Sequence, residues 1–177
     1  MEKIYAAPED LFQGFSKEDL IRLLLEDGKL WSACDGLWFQ GVERAHGMDE
    51  AMRQDLAMWA AFTRLEAARI KAFLRLPEHP GLPGLAEALP LRINNRSNTI
   101  TVRLAEETLL YRVETCRVQA ARSRKGLPWH PCRAVGLVEY GEFARAIDDR
   151  IAMRCLSCWP EVIDRSCACA WEFFIEK

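Results

Sequence analysis

The sequence predicts an α+β fold, an N-terminal antiparallel helical hairpin packed on a C-terminal four-stranded antiparallel sheet in the order strand–strand–helix–strand–strand. Three observations carry this. Apolar residues recur at spacings of four and seven through roughly the first 76 residues, the period of a helix with one buried stripe. Pro77, Pro80, Pro83 and Pro90 then interrupt the chain. Beyond them the period drops to two, as in strands whose alternate side chains face a core.

Each element has its own local cause. Residues 1 to 15 carry Pro8 and Gly14 and read as an irregular lead-in. Ser16 followed by Lys-Glu-Asp starts a helix, with a hydroxyl to cap free N–H groups and acids at the positive end of the dipole. The stripe Leu20, Leu24, Trp31, Trp38 and Val42 carries it to about His46. Gly28, Gly36 and Gly41 each cost about 1 kcal/mol against Ala and mark a kink or a close helix contact. Gly47 ends that helix and Asp49 caps the next, which runs to about Leu76 on Met52, Leu56, Trp59, Thr63, Glu66, Ile70 and Phe73. So short a link makes the pair an antiparallel hairpin. Asp35, Thr63 and Glu66 are polar groups at apolar positions, where an unpaired buried group costs about 1–3 kcal/mol. They either pair at the hairpin's edge with Arg64 or Arg69, or form the polar floor of a small-molecule pocket.

Residues 77 to 90 form a linker with a short helix at Leu85–Leu89, the best internal boundary. It separates residues 1–96 from residues 97–177, which together make one compact domain. Ile100, Val102 and Leu104 pair with Leu109, Tyr111 and Val113 as a β-hairpin. Cys116 to Lys125 is a basic helical turn ending at Gly126. A helix then runs from near Cys132 to about Ile147, with Leu137, Tyr140, Phe143, Ala144 and Ile147 inward. Ile151, Met153 and Cys155 begin a third strand, and Cys167 to Ile175 is the fourth.

Bulk properties narrow the function. The 177 residues bear a net charge of −2, with 50% apolar and 28% charged side chains. Nothing in that balance favours nucleic acid, which needs a basic face. The opening Met1–Tyr5 has no basic-then-apolar signal pattern, and no apolar run approaches the ~20 residues of a membrane helix. A cytoplasmic protein is expected, whose seven cysteines stay reduced and serve as metal ligands or reactive thiols.

Four of those cysteines crowd one stretch, Cys155-Leu-Ser-Cys158-Trp-Pro and Cys167-Ala-Cys169-Ala-Trp-Glu-Phe, with Cys116 and Cys132 upstream. A metal is one reading. Cys155 and Cys158 grip an ion and two further donors complete a tetrahedron. Zinc suits all-sulfur ligation, and an iron–sulfur cluster is the second choice. Cys167 and Cys169 share a strand face but stand about 7 Å apart, so Cys169 with Cys116, Cys132 or His130 completes the set better. A structural zinc takes four protein ligands; a catalytic one keeps a water whose pKa falls to about 7. A thioredoxin-like couple wants Cys-x-x-Cys opening a helix, whereas here Trp159-Pro160 follows. The third reading is a nucleophile: Cys132 begins a helix, where free N–H groups lower a thiol pKa, and His130 is its candidate base. Arg117, Arg122, Arg124, Lys125 and Arg133 either orient an anionic substrate or form a solvated face. Glu139 and Glu142 are three apart, an acid and base pair or two water-facing groups.

Several phrases together carry a resemblance: Asp35-Gly-Leu-Trp-Phe-Gln, Cys116-Arg-Val-Gln-Ala-Ala-Arg-Ser-Arg-Lys-Gly, Pro131-Cys-Arg-Ala-Val-Gly-Leu-Val-Glu-Tyr, Glu142-Phe-Ala-Arg-Ala-Ile-Asp, and Cys155-x-x-Cys-x-Pro with Cys169-Ala-Trp-Glu-Phe. From about residue 16 onward the chain resembles uncharacterised bacterial and archaeal proteins labelled only "cytosolic protein". By that resemblance Cys116, Cys132, Cys155, Cys158 and Cys169 occupy motif positions and Cys34 and Cys167 do not. The C-terminal half is also similar to the aminothiazoline-carboxylate hydrolase-like family. That likeness implies hydrolysis of a C–N bond in a small sulfur heterocycle and brings no catalytic residue set with it.

The leading expectation is a small-molecule-binding protein with a thiolate-held zinc (Cys116, Cys132, Cys155, Cys158, Cys169), acting as a hydrolase. Cys132, His130 and Glu139 would supply its chemistry, and Asp35, Glu66, Arg117 and Trp38 would line its pocket. The competing class is non-enzymatic: a homodimerising or partner-binding module with a purely structural zinc or free cysteines.

Overall fold

Ser16 opens the first long helix as its Ser-Lys-Glu-Asp context predicts. In the computed structural model, which describes residues 7–175, α1 spans Lys17–His46. The Ser16 hydroxyl accepts the Asp19 N–H at 3.1 Å and the Asp19 carboxylate accepts the Ser16 N–H at 3.2 Å, so two orphan donors are satisfied reciprocally. The Met1–Tyr5 opening lies outside the described residues. Gly47 makes the whole link to α2 (Met48–Leu74), with a φ of 86° that a side chain would strain. Trp31 stacks on Phe62 with ring centroids 4.9 Å apart, nearly equidistant from that turn, as an antiparallel hairpin requires.

The proline segment holds α3 (Gly81–Ala88) and two short 3-10 turns, Leu89–Leu91 and Ile93–Arg96. There follow β1 (Thr99–Leu104), β2 (Thr108–Thr115), α4 (Arg117–Arg124), α5 (Arg133–Ile147), β3 (Ile151–Cys158) and β4 (Cys169–Ile175). The four strands form one antiparallel sheet in the order β1-β2-β4-β3. Leu109, Tyr111 and Val113 of β2 and Trp171 and Phe173 of β4 turn one face of it into the core, against Phe143 and Ile147 of α5. α5 is therefore the middle layer, packed on β3 on one side and on α2 on the other. Gly136 permits that approach. A Cβ there would stand 2.5 Å from the Trp171 ring, far inside van der Waals contact.

Several sequence expectations change. Asp49 is the second residue of α2 and not its cap, because Gly47 holds the cap position. The α1 stripe is not the buried one: Leu24 and Trp38 are exposed, and Gly28 and Phe39 are buried instead. The cause is that α1 crosses the Ile93–Arg96 turn at Gly28, where an added Cβ would meet that of Arg96 at 2.4 Å. Phe73 is exposed, lying at the end of α2, which stops at Leu74. On α5, Leu137 is exposed and Val135 and Gly136 face inward. Among the described residues no helix is long and apolar enough to cross a membrane.

Candidate functional site

The sheet delivers three cysteines to one corner through an irregularity in β3. Cys155 pairs with Trp171, but the register shifts before Ser157, so that Ser157 pairs with Ala170 and Cys158 with Cys169. In a regular strand Cys155 and Cys158 would point to opposite faces. The extra residue reverses the phase and turns Cys158 to the side of Cys169 and Trp171. The start of α5 is tied to this corner, because the Arg133 N–H donates to the Trp159 carbonyl at 3.0 Å. Cys132, the residue before α5, thereby brings its Sγ to 3.7 Å from Cys158 Sγ.

Cys132 and Cys158 line a cavity of about 360 Å³ beneath α1, α4 and the 94–98 segment, as do Cys116, Cys169, His130 and Trp171. That volume suits a small molecule. His130 is buried in its wall. The ring Nε2 donates to the Asp55 carboxylate of α2 at 3.1 Å. Gln119 of α4 clamps the His130 backbone, accepting its N–H at 3.0 Å and donating to its carbonyl at 2.8 Å, and the same amide nitrogen donates to Cys132 Sγ at 3.3 Å. Phe39 covers the imidazole from α1, with ring centroids 4.7 Å apart.

Charge follows from this arrangement. Cys132 is drawn down to about 5 by its contact with Cys158 and then by His130, against the opposing effect of burial. Cys158 moves the other way, held protonated by Cys132, Cys155 and Cys169 around it. The pair thus keeps its proton on the more buried sulfur, Cys158, and leaves Cys132 a thiolate. Burial works against a charged imidazole, but the Asp55 and Cys132 interactions outweigh it and lift His130 to about 9. An imidazolium at His130, hydrogen-bonded to Asp55, and a thiolate at Cys132 therefore stabilise one another at neutral pH. Nδ1 of the imidazole is buried with no hydrogen-bond partner.

A model described as a family of unknown function, DUF6125, matches residues 13–175, almost the whole chain. The chain belongs to DUF6125. No curated protein and no solved structure matches it. The thiol corner and cavity of this DUF6125 chain are accordingly read from their own geometry.

Of the remaining residues singled out by sequence, the cavity gathers Asp35, Arg117 and Glu139. Asp35 is pushed up to about 6 by burial, with Asp55 adding to the effect. Arg117 has no ion-pair partner among the described residues, and Asn98 accepts its backbone N–H at 2.8 Å. Glu139 touches the cavity but is ion-paired to Arg92 at 2.7 Å, and burial raises it to about 7. Glu66 does not line the cavity. Its carboxylate accepts from Arg92 Nε at 2.9 Å and from the Ile93 N–H at 2.6 Å. Trp38 points outward, 75% exposed, because its neighbour Phe39 takes the inward position on α1. Cys116 lines the cavity, its thiol pushed up to about 12 by burial. Cys155 lies behind, beside Cys158, which pulls its thiol down. Arg122 makes a bidentate pair with Glu43 at 2.8 Å, and Glu142 pairs with Arg64 and Arg145 at the surface. Sequence reasoning missed Asp55, Gln119 and Arg92. Asp55 stands four residues before Trp59 on α2, and that spacing was the available signal.

The donor set offers one edge of a zinc tetrahedron. Sulfurs bound to zinc at about 2.3 Å stand about 3.8 Å apart, which the 3.7 Å Cys132–Cys158 contact matches. A tetrahedral face needs three such donors, and no three donors at this corner lie within 4.8 Å of one another. Among the described residues that condition is met by His79, Asp148 and Asp149, away from the cavity. At the thiol corner a sulfur, Cys158, occupies the centre, with Cys132, Cys155 and Cys169 about it.

Proposed function

We propose that this cavity is the active site of a thiol-dependent hydrolase that cleaves a C–N bond in a small molecule. The observation that carries the reading is the Asp55–His130–Cys132 series in the wall of a ligand-sized cavity. In this reading the Cys132 thiolate attacks the electron-poor carbon of an amide-like or amidine-like group. The C–S bond forms as the imidazolium of His130 gives its proton to the departing nitrogen. Neutral His130 then takes a proton from water, whose hydroxide breaks the C–S bond and restores the thiolate. Asp55 holds the ring and stabilises its charged form, and Gln119 fixes the His130 backbone and the Cys132 sulfur. Arg117 supplies an unpaired cation for an anionic group on the substrate. A cytoplasmic setting suits it, since the thiolate must stay reduced.

The test is ammonia or amine release from a panel of small amides, amidines and thiazoline carboxylates. For any substrate found, Cys132→Ala should lower kcat/KM by about 10³-fold or more, the scale on which a nucleophile acts. Full turnover by a folded Cys132→Ala protein would refute the reading. A second reading, a zinc held by Cys132 and Cys158 with Cys116, Cys155 or Cys169, is favoured by the 3.7 Å sulfur contact alone. It predicts stoichiometric zinc in protein purified without chelator, and metal-free protein with all seven thiols titratable would dismiss it.

A further inference from the structure

Cys158 supports the Cys132 thiolate but forms no bond in the hydrolysis described above, and its Sγ stands 3.7 Å from that of Cys132. It is 1% exposed at the end of β3, whereas Cys132 is half-buried and borders the cavity. Both sulfurs line the cavity, and a small oxidant there meets the more exposed Cys132 first. The two sulfurs are 3.7 Å apart and a disulfide bond is about 2.05 Å long, so they must approach by less than about 2 Å, within reach of side-chain rotation. Their backbones are already joined by the hydrogen bond from the Arg133 N–H to the Trp159 carbonyl.

We propose that Cys132 and Cys158 are a redox modification site, in which a hydroperoxide oxidises Cys132 and Cys158 resolves it as an intramolecular disulfide. The inference rests on the reading of Cys132 as a reactive thiolate, and on no substrate. The Cys132 thiolate attacks one peroxide oxygen, the O–O bond breaks, and Cys132 becomes a sulfenic acid while hydroxide (or alkoxide) leaves and takes a proton from the His130 imidazolium. Cys158 then attacks the Cys132 sulfur. The S–S bond forms, the S–O bond breaks, and the departing hydroxide leaves as water with the Cys158 proton. The two sulfurs have given two electrons to the peroxide. The disulfide removes the nucleophile, and a dithiol reductant restores it by exchange. Cys169 also neighbours Cys158, but it is 9% exposed and lacks the imidazolium that keeps Cys132 ionised.

The experiment exposes the full-length protein to one equivalent of hydrogen peroxide, alkylates the free thiols under denaturing conditions and maps the peptides without reduction. The expected result is loss of two of the seven titratable thiols, a Cys132–Cys158 cross-linked peptide, and recovery of both thiols with dithiothreitol. Cys158→Ser should instead accumulate a sulfenic acid at Cys132 that dimedone traps. A cross-link between any other pair, over-oxidation of Cys132 beside a free Cys158, or seven unchanged thiols would overturn the proposal. The two readings fail separately: turnover lost in Cys132→Ala without any cross-link leaves the hydrolase standing. A cross-link in a protein whose Cys132→Ala variant still turns over leaves the redox site standing.

Discussion

Two clusters of buried charge lie within this small fold, and they are built on opposite principles. Around Arg92, 2% exposed, the charge is neutralised from two sides: Glu66 and Glu139 ion-pair with its guanidinium, and the Phe143 and Tyr140 rings lie 4.8 and 5.2 Å away. Burial opposes its charge, yet the two carboxylates hold the guanidinium more firmly protonated than an ordinary arginine. Around His130 the partners stop short of saturation. Nδ1 has no hydrogen bond, and Cys132, Asp35 and Arg117 all border the cavity. The comparison teaches that a buried cation held by two carboxylates is architecture, whereas one paired to a single carboxylate beside a cavity-lining thiol is available for chemistry.

Breaking the Arg92 cluster should produce the largest effect. Arg92→Met strands two buried carboxylates and should cost about 3–5 kcal/mol of unfolding free energy, measured by urea denaturation. A loss below about 1 kcal/mol would remove the contrast between the clusters. The His130 cluster is sharpened by pH. The folded-state value of His130 is raised from 6.5 to about 9, so its contribution is complete below pH 6.5 and lost as pH rises through 9. For Cys132, lowered from 9.0 to about 5, the contribution is complete above pH 9 and lost as pH falls through 5. The two slopes offset each other between pH 6.5 and 9. Cys132→Ser removes one of them, so its stability relative to wild type should fall by about 1–3 kcal/mol from pH 5 to pH 9. A difference independent of pH would mean that no ion pair exists.

Much of this was legible in the sequence, and the losses have physical causes. The Ser16 cap, the Gly47 turn, the proline segment and all four strands follow from local chemistry that a window of a few residues contains. Bringing Cys116, Cys132, Cys158, Cys169 and His130 to one cavity was foreseeable from thiol density. Their order within it was not, because a single extra residue in β3 decides which face Cys158 takes. Glu66 was recognised as a polar group at an inward position, whereas Glu139 was read as an acid–base partner of Glu142 or a water-facing group and is buried instead; their partner Arg92 sits in a proline-rich segment with no periodicity to place it. Trp38 was misplaced for a simpler reason. Adjacent Trp38 and Phe39 are both apolar, and only the contact at Gly28 settles which side of α1 is covered.

The central claim is that Cys132 is a thiolate at neutral pH, held so by Cys158 and His130. It is tested most directly by the pH dependence of its alkylation with iodoacetamide, read on the Cys132 peptide by mass spectrometry. The account predicts half-maximal reactivity near pH 5, with an upward displacement of about one unit or more in Asp55→Asn as the imidazolium loses its partner. A midpoint near the ordinary thiol value of about 8.5, unmoved by Asp55→Asn, would contradict it.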